Sequence, residues 1–263
     1  MQRMNARFHA AVAVAAMLGG AVRAGVAPLY SDKGIDVAED GKAKAVIVLG
    51  KDAVAPEKTA ARELAEYLKK ATSTKPPTTS EGEQRQEGNL IYVGHTRFAA
   101  ENGLDGELLG EEQWFIRTVN GNLILTGGRP RGTLYAVYHF LEDVAGVRWW
   151  NPWEESVPEH GHFATGKVDL SGKPAFRVRK LDVSGSYGGW FQSVSGREDL
   201  YAPRNRINSW PNIPEEYGGA DKSGPPNFCH AEGHYFDLFK KRDDLEKHPD
   251  WVAQKDGLIT QIS

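Results

Sequence analysis

Two runs of β-forming residues that flank an Asn-Gly pair are the strongest structural signal in this sequence. The runs span residues 114–119 and 123–126, and Asn120-Gly121 lies between them. An Asn-Gly pair favours the type I′ turn, whose twist matches the twist of two adjacent antiparallel strands. The sequence therefore predicts a β-hairpin over residues 114–126.

The segments around this hairpin alternate between strand and helix patterns. Short β-branched runs at 45–50 and 89–94 predict buried strands. Residues 56–71 have a helical apolar face, with a proline at the first helical position and lysines in the last turn. A second helical face follows the hairpin and ends near Gly146, a residue type common after helix C-termini. This order of elements predicts an α+β domain over residues 25–150.

Other stretches have the composition of connecting segments. Residues 72–88 lack an apolar period and predict an exposed loop, and residues 151–174 are rich in Pro, Gly and His and predict a linker. A second unit is expected from Ala175 onward, since a β-forming run follows Pro174 directly. Short β-forming runs at 206–210 and 251–253 are further candidate strands.

Residues 1–24 have the pattern of a secretory signal peptide. Arg3 and Arg7 precede an apolar run of about nine residues, and Val22-Arg23-Ala24 has small residues at the cleavage positions. The alternative, a membrane anchor, is disfavoured because a spanning helix needs roughly 20 apolar residues. We therefore expect a secreted or periplasmic protein with no membrane span in the mature chain.

Charge argues against a nucleic-acid partner, and cysteine content excludes an intrachain disulfide. Cleavage would remove three arginines and no acidic residue, which takes the formal charge from −3 to −6, so nothing indicates nucleic-acid binding. Cys229 is the sole cysteine, so no intrachain disulfide can form. The sequence does not indicate an oligomeric state.

Two motifs together resemble the N-terminal domain of bacterial α-glucuronidases and related hexosaminidase-like glycoside hydrolases. The first is Gly-Gly-Arg-Pro-Arg-Gly-Thr-Leu-Tyr-Ala-Val at 127–137, and the second is Gly-Val-Arg-Trp-Trp at 146–150. In that group a small α+β domain, of the hexosaminidase-like domain 2 type, precedes a (β/α)8 catalytic barrel. Residues 174–182 are similar to the start of the first barrel strand. The resemblance extends over roughly residues 45–257.

The length of the second unit departs from this pattern. Residues 175–263 number 89, whereas a (β/α)8 barrel typically takes about 250 residues. We therefore expect an incomplete barrel that consists of its first βα units.

Glycoside hydrolysis usually requires two carboxylates on either side of the scissile bond. No spacing in this sequence singles out such a pair, so no catalytic residue is predicted. The resemblance implies that Arg179, at the end of the first barrel strand, holds sugar hydroxyls; the alternative is a pairing with Asp182. Asn208 is a second candidate sugar contact if it ends the second strand.

His230 and His234 are interpreted as part of a loop that lines a substrate cleft. Two histidines four residues apart would also suit a metal on a helix. Gly233 and the nearby Pro225-Pro226 argue against a helix, so no metal is predicted.

No cofactor is predicted either. The glycine-rich run at 127–133 lacks the lysine of a phosphate-binding loop. We expect its glycines to serve left-handed or closely packed backbone positions. The tryptophans at 149, 150, 153, 190 and 210 are interpreted as packing at a domain interface, with stacking on sugar rings as the alternative.

Two functional hypotheses follow. In the first, the chain is the N-terminal portion of a secreted, α-glucuronidase-like glycoside hydrolase that acts on oligo- or polysaccharide. In the second, it is a non-catalytic carbohydrate-binding or scaffold module. The sequence does not identify the sugar or the stereochemical outcome.

Overall fold

The computed structural model describes residues 33–83, 89–179, 197–209, 213–221, 254–255 and 258–259. Within these residues the strands are β1 (Lys33–Glu39), β2 (Lys42–Ala43), β3 (Val46–Leu49), β4 (Thr78–Ser80), β5 (Leu90–Val93), β6 (Trp114–Val119), β7 (Asn122–Gly127), β8 (Arg148–Asn151), β9 (Glu154–Ser156), β10 (His162–Gly166), β11 (Asp169–Gly172), β12 (Gln254–Lys255) and β13 (Leu258–Ile259). The α-helices are α1 (Ala55–Thr72), α2 (Arg97–Glu101), α3 (Gly132–His139) and α4 (Arg197–Arg204). None of the helices in these ranges is long and apolar enough to cross a bilayer.

The central element is a six-stranded mixed sheet in the order β11-β6-β7-β5-β3-β4. Strands β7, β5, β3 and β4 run parallel, and β6 is antiparallel to both of its neighbours. The predicted hairpin is confirmed as β6 and β7, paired from Trp114↔Gly127 to Val119↔Asn122. Asn120 and Gly121 have φ angles of 49° and 71°, as a type I′ turn requires. The mixed sheet with its helices agrees with the predicted α+β domain.

Helix α1 has the ends that the sequence predicts. The backbone N–H of Val54 donates to Glu57 Oε2 at 3.0 Å, which satisfies a donor at the start of the helix. Lys69 and Lys70 lie in the last turn, where they oppose the negative end of the helix dipole. The predicted apolar face is buried, with Leu64 and Leu68 fully inaccessible to solvent.

The parallel strands alternate between the two faces of the sheet. Ile47 and Ile91 point into the main core, where the apolar faces of α1 and α3 pack. Their neighbours Val48 and Tyr92 form a smaller cluster on the opposite face, and the Tyr92 ring stacks on Phe98 of α2 at 4.2 Å. Helices therefore cover both faces of the sheet, and β5 and β7 at its centre are buried throughout, whereas the edge strands β4 and β11 are partly exposed.

The glycines after the hairpin are required by close backbone approach. A Cβ on Gly127 would lie 2.3 Å from the carbonyl oxygen of Gln113, and one on Gly128 would lie 2.0 Å from that of Gly110. A Cβ on Gly132 would lie 2.4 Å from the Gln113 oxygen. Larger residues at these positions would push α3 away from the edge of β6, so the motif fixes how the hairpin joins the helix.

Two segments predicted as loop and linker contribute strands to the first domain. β4 lies within 72–88 and pairs with β3. Within the expected linker of 151–174, β10 pairs with β1 and β11 pairs with β6. In β10 the side chains alternate between buried and exposed, a pattern too short to be recognised among the prolines and glycines. Residues 162–172 therefore belong to the sheets of the first domain.

The expected barrel strands are only partly covered by the described residues. Residues 173–179 form bends and irregular chain rather than a strand, and Lys180 onward to residue 196 lies outside the described ranges. Residues 205–209 form a turn and irregular chain after α4, so Asn208 does not end a strand. The third expected strand, at 251–253, also lies outside the described residues.

Substitution of Gly121 should separate backbone conformation from packing. A Cβ added at Gly121 or at Gly161 would have no atom within 4 Å, but only Gly121 has a positive φ. We expect Gly121→Ala to lower the free energy of unfolding by about 1 kcal/mol, because L-residues are strained in the left-handed region. Gly161→Ala should leave it unchanged or raise it by about 0.5 kcal/mol. Urea denaturation followed by circular dichroism measures both, and equal losses would contradict the assigned turn.

Candidate functional site

A buried carboxylate, that of Glu112, lies where the first domain meets the chain beyond Pro174. Glu112 lies two residues before β6 and is 6% exposed. Its Oε1 accepts hydrogen bonds from Arg131 Nη1 at 3.0 Å, from the Tyr135 hydroxyl at 3.2 Å and from Asn208 Nδ2 at 3.0 Å. Its Oε2 lies 2.8 Å from Arg179 Nη2. One carboxylate thus connects α3 to two segments of the second unit. We call this group the Glu112 cluster.

Every nitrogen of the Arg179 guanidinium has a partner within the protein. Nη2 donates to the Tyr135 hydroxyl at 2.8 Å and also faces Glu112. Nε and Nη1 donate to backbone carbonyl oxygens, those of Arg206, Phe176 and Arg177. Because these bonds fix the whole fork, Arg179 holds two chain segments of the second unit against α3.

Asn208 is fully buried and is bound at both ends of its amide. Its Oδ1 accepts from the backbone N–H of Arg179 at 2.8 Å, and its Nδ2 donates to the carbonyl oxygen of Arg177 at 2.7 Å as well as to Glu112. The structure therefore brings Arg179 and Asn208 together, and it occupies their hydrogen-bonding groups with protein partners. A sugar contact by either residue stays a prediction.

The surroundings of Tyr135 in the Glu112 cluster favour the neutral, protonated form of its phenol. Burial raises the pKa of Tyr135, and the negative charge of Glu112 raises it further, against the opposing effect of Arg179. Tyr135 therefore stays protonated and can donate to Glu112 while it accepts from Arg179. Two guanidinium groups share the single carboxylate, and the backbone carbonyl oxygens around Arg179 offset the remaining positive charge.

The other arginine of the motif, Arg129, also binds a buried glutamate, in this case at the start of α1. Arg129 donates from Nε to Glu57 Oε1 at 3.2 Å and from Nη2 to Oε2 at 3.3 Å. Glu57 is 1% exposed and also caps the helix. The two arginines of Gly-Gly-Arg-Pro-Arg-Gly thus bind two different buried glutamates, so both are structural residues of the first domain.

A pocket of about 290 Å³ lies between the β8–β9 hairpin and α4. Asn151 shapes the turn of this hairpin, because its Oδ1 accepts from the backbone N–H of Trp153 at 2.9 Å and its Nδ2 donates to Glu154 at 3.1 Å. Trp153 at the lip is 61% exposed. Trp149 also lines the pocket. It is 6% exposed and donates from Nε1 to the Tyr67 hydroxyl at 2.7 Å. We call this the Trp153 pocket.

Three charged groups of the Trp153 pocket, Lys70, Glu155 and Arg204, are in ion pairs, and the fourth, Glu154, is bound by the amide of Asn151. Glu155 accepts from Lys70 Nζ at 2.5 Å and from the Tyr67 hydroxyl at 2.6 Å. Burial acts to raise the pKa of Glu155, but these two hydrogen bonds outweigh it and hold that pKa below its ordinary value. Arg204 is bound by the carboxylate of Glu63, with Nε to Oε2 at 3.0 Å. The two ion pairs, Lys70 with Glu155 and Arg204 with Glu63, therefore carry no net charge.

One further group among the described residues has the donor types of a metal site. Ligand atoms of His139, Glu142 and Asp143 lie within 4.8 Å of one another where α3 continues as a π-helical turn. Glu142 is bound by Arg206, and His139 lies 3.0 Å from Asp143, whose pKa it lowers by hydrogen bonding. A metal ion would have to displace Arg206, so we assign no metal to this group.

Other predicted site residues lie outside the described ranges. These are His230, His234, Asp182, Cys229, Trp190 and Trp210. The residues that sequence reasoning missed, Glu112 above all, gave no periodic signal. A single glutamate in a polar stretch before a strand becomes recognisable only when its distant partners are known.

Removal of the Glu112 charge should destabilise the fold. Glu112→Gln leaves two buried guanidinium groups without their carboxylate, so we expect the free energy of unfolding to fall by about 3 kcal/mol. The adjacent Glu111 is exposed, and Glu111→Gln is the matched control with an expected change within about 0.5 kcal/mol. Urea denaturation measures both variants; equal effects would show that the cluster contributes nothing.

Comparison with known proteins identifies the first domain. Residues 33–140 match the model described as the glycosyl hydrolase family 67 N-terminus. No curated protein matches the chain.

Three solved structures of glycoside-active enzymes are similar to the chain. A family GH115 4-O-methyl-α-glucuronidase with specificity for decorated arabinogalactans is 18% identical, with a TM-score of 0.46 over 63% of this chain and 24% of that one. A GH138 enzyme that targets pectin rhamnogalacturonan II is 17% identical, with a TM-score of 0.36 over 63% and 18%. A Streptomyces plicatus β-hexosaminidase is 14% identical, with a TM-score of 0.34 over 56% and 25%.

The aligned part of this chain spans about a quarter or less of each of these proteins. The family match covers the helices α1 to α3, the hairpin and the first of the two sequence motifs. The resemblance to α-glucuronidases is thereby confirmed for this part of the chain, because residues 33–140 match the N-terminal domain of glycosyl hydrolase family 67.

Proposed function

We propose that this chain is the N-terminal portion of a secreted, α-glucuronidase-like glycoside hydrolase that acts on polysaccharide. The observation that carries the proposal is the match of residues 33–140 to the family 67 N-terminal domain. The domain's role in this proposal is to hold the chain that leads from Pro174 into a (β/α)8 barrel in a fixed position.

The Glu112 cluster supports this role. It joins α3 to the chain around Arg179 and to the chain around Asn208, which are 29 residues apart in sequence. Buried, charge-assisted hydrogen bonds of this kind are directional. They would set both the position and the orientation of the segments that lead into the barrel.

The catalytic carboxylates are expected elsewhere. Of the four buried glutamates among the described residues of the first domain, Glu57, Glu63 and Glu112 are each bound by an arginine. The fourth, Glu81, accepts from the two backbone N–H groups at the start of α2. A glycosidase needs one carboxyl group free to give up a proton and a second to act as nucleophile or base. Glutamates held by arginine partners do not suit either task, so we expect the reacting pair outside the described residues. His230 and His234 remain proposed as cleft residues.

A non-catalytic carbohydrate-binding module is the second candidate. The observation in its favour is the exposed indole of Trp153 at the lip of a pocket that also contains polar groups. Such a module would bind polysaccharide without cleaving it, so binding and product release separate the two candidates.

Hydrolysis assays test the proposal directly. The secreted protein that carries this chain should release uronic acid or reducing ends from at least one substrate in a panel of glucuronoxylan, aryl glucuronides, hexosaminides and xylan fragments. Heat-denatured protein serves as the control. Binding without release by a folded protein would favour the binding module, and the absence of both would contradict both candidates.

A further inference from the structure

We infer that the Trp153 pocket is a carbohydrate subsite of the first domain, which binds one neutral pyranose residue of a polysaccharide chain. The inference rests on the proposed function only for the class of ligand. The site itself is argued from the β8–β9 hairpin and α4.

The backbone of the exposed tryptophan is held in place by a hydrogen-bonded turn. Asn151 binds the backbone of Trp153 on one side and the side chain of Glu154 on the other, which closes an Asx-type turn. An exposed indole surface gains free energy when a ligand covers it. The C–H face of a pyranose ring is apolar and flat, and it suits such a surface. Because the turn is already ordered, ligand binding would cost little conformational entropy.

The size of the pocket limits the ligand to one ring. Its volume of about 290 Å³ lies at the lower end of the range for small-molecule sites. Trp149 also lines the pocket, and its indole N–H is already donated to Tyr67, so this residue offers the ligand an apolar ring surface. One face of the ligand would therefore be stacked, and its rim would meet polar groups.

The charged groups around the pocket favour hydroxyl groups over anionic groups. Lys70 and Arg204 line the pocket with positive charge, and Glu154 and Glu155 line it with negative charge. Lys70 is paired with Glu155, Arg204 is paired with Glu63, and Glu154 accepts from the neutral amide of Asn151. An anionic sugar would therefore meet two cations that already have carboxylate partners, together with the negative charge of Glu154. Sugar hydroxyls donate and accept, so they can join paired groups without breaking them.

The hairpin itself provides the matched control. Trp150 is 59% exposed and Trp153 is 61% exposed, and only Trp153 lines the pocket. The hydrogen bond from Tyr201 to residue 150 uses a backbone oxygen, so replacement of the Trp150 side chain leaves it in place. The two tryptophans therefore differ in position and not in chemistry or exposure.

The test is a titration of the full chain with xylotriose, cellotriose and mannotriose, and with an acidic aldotetraouronic acid. Tryptophan indole N–H signals in two-dimensional NMR report binding at each ring, and the spectrum of each variant reports whether it is folded. We expect a neutral trisaccharide to shift the Trp153 signal. Trp153→Ala should weaken its affinity about tenfold or more, Trp153→Phe should weaken it less, and Trp150→Ala should change it less than about twofold.

Three results would overturn the inference. They are no shift with any neutral trisaccharide at millimolar concentration, equal losses from Trp150→Ala and Trp153→Ala, or a clear preference for the acidic sugar. Trp153-dependent binding by a protein that releases no product would refute the proposed hydrolase activity and leave the subsite intact.

Discussion

The contact between the first domain and the chain beyond Pro174 is centred on one buried carboxylate, and ion pairs of Arg204 with Glu63 and of Arg206 with Glu142 add to it. Removal of a carboxylate from water costs several kcal/mol unless charged and hydrogen-bonding partners replace the solvent. Glu112 has four such partners, from Arg131, Tyr135, Arg179 and Asn208. Because the partners come from separate segments, the cost is offset only when all of these segments are in place. The Glu112 cluster therefore forms only when the chain beyond Pro174 lies in its place against the first domain.

The glycine-arginine motif combines two physical requirements in one short run. Its glycines allow the backbone after β7 to lie against the chain before β6, at distances that a Cβ would not permit. Its arginines then reach in different directions, Arg129 to Glu57 and Arg131 to Glu112. The motif that resembles the family is thus the point at which sheet, helix α1 and the following segment are connected. A motif of this kind identifies a domain and carries no chemistry of its own.

Sequence reasoning predicted the elements that local patterns define. The Asn120-Gly121 turn and helix α1 follow from short-range chemistry, and both lie where expected. Strands β4, β10 and β11 were missed because each has three to five residues and gains its stability from pairing with distant strands. The partners of Arg179 could not be predicted for a similar reason. Glu112 is 67 residues away in sequence, and only the packing of α3 brings the two together.

A double-mutant cycle between Glu112 and Arg179 tests the central claim most directly. The free energy of unfolding is measured for the parent protein, for Glu112→Gln, for Arg179→Lys and for the double variant. If the two side chains form one buried unit, the losses are not additive, and the coupling energy is about 1 kcal/mol or more. Additive losses would show that the two residues act independently and that the carboxylate does not hold the segment beyond Pro174.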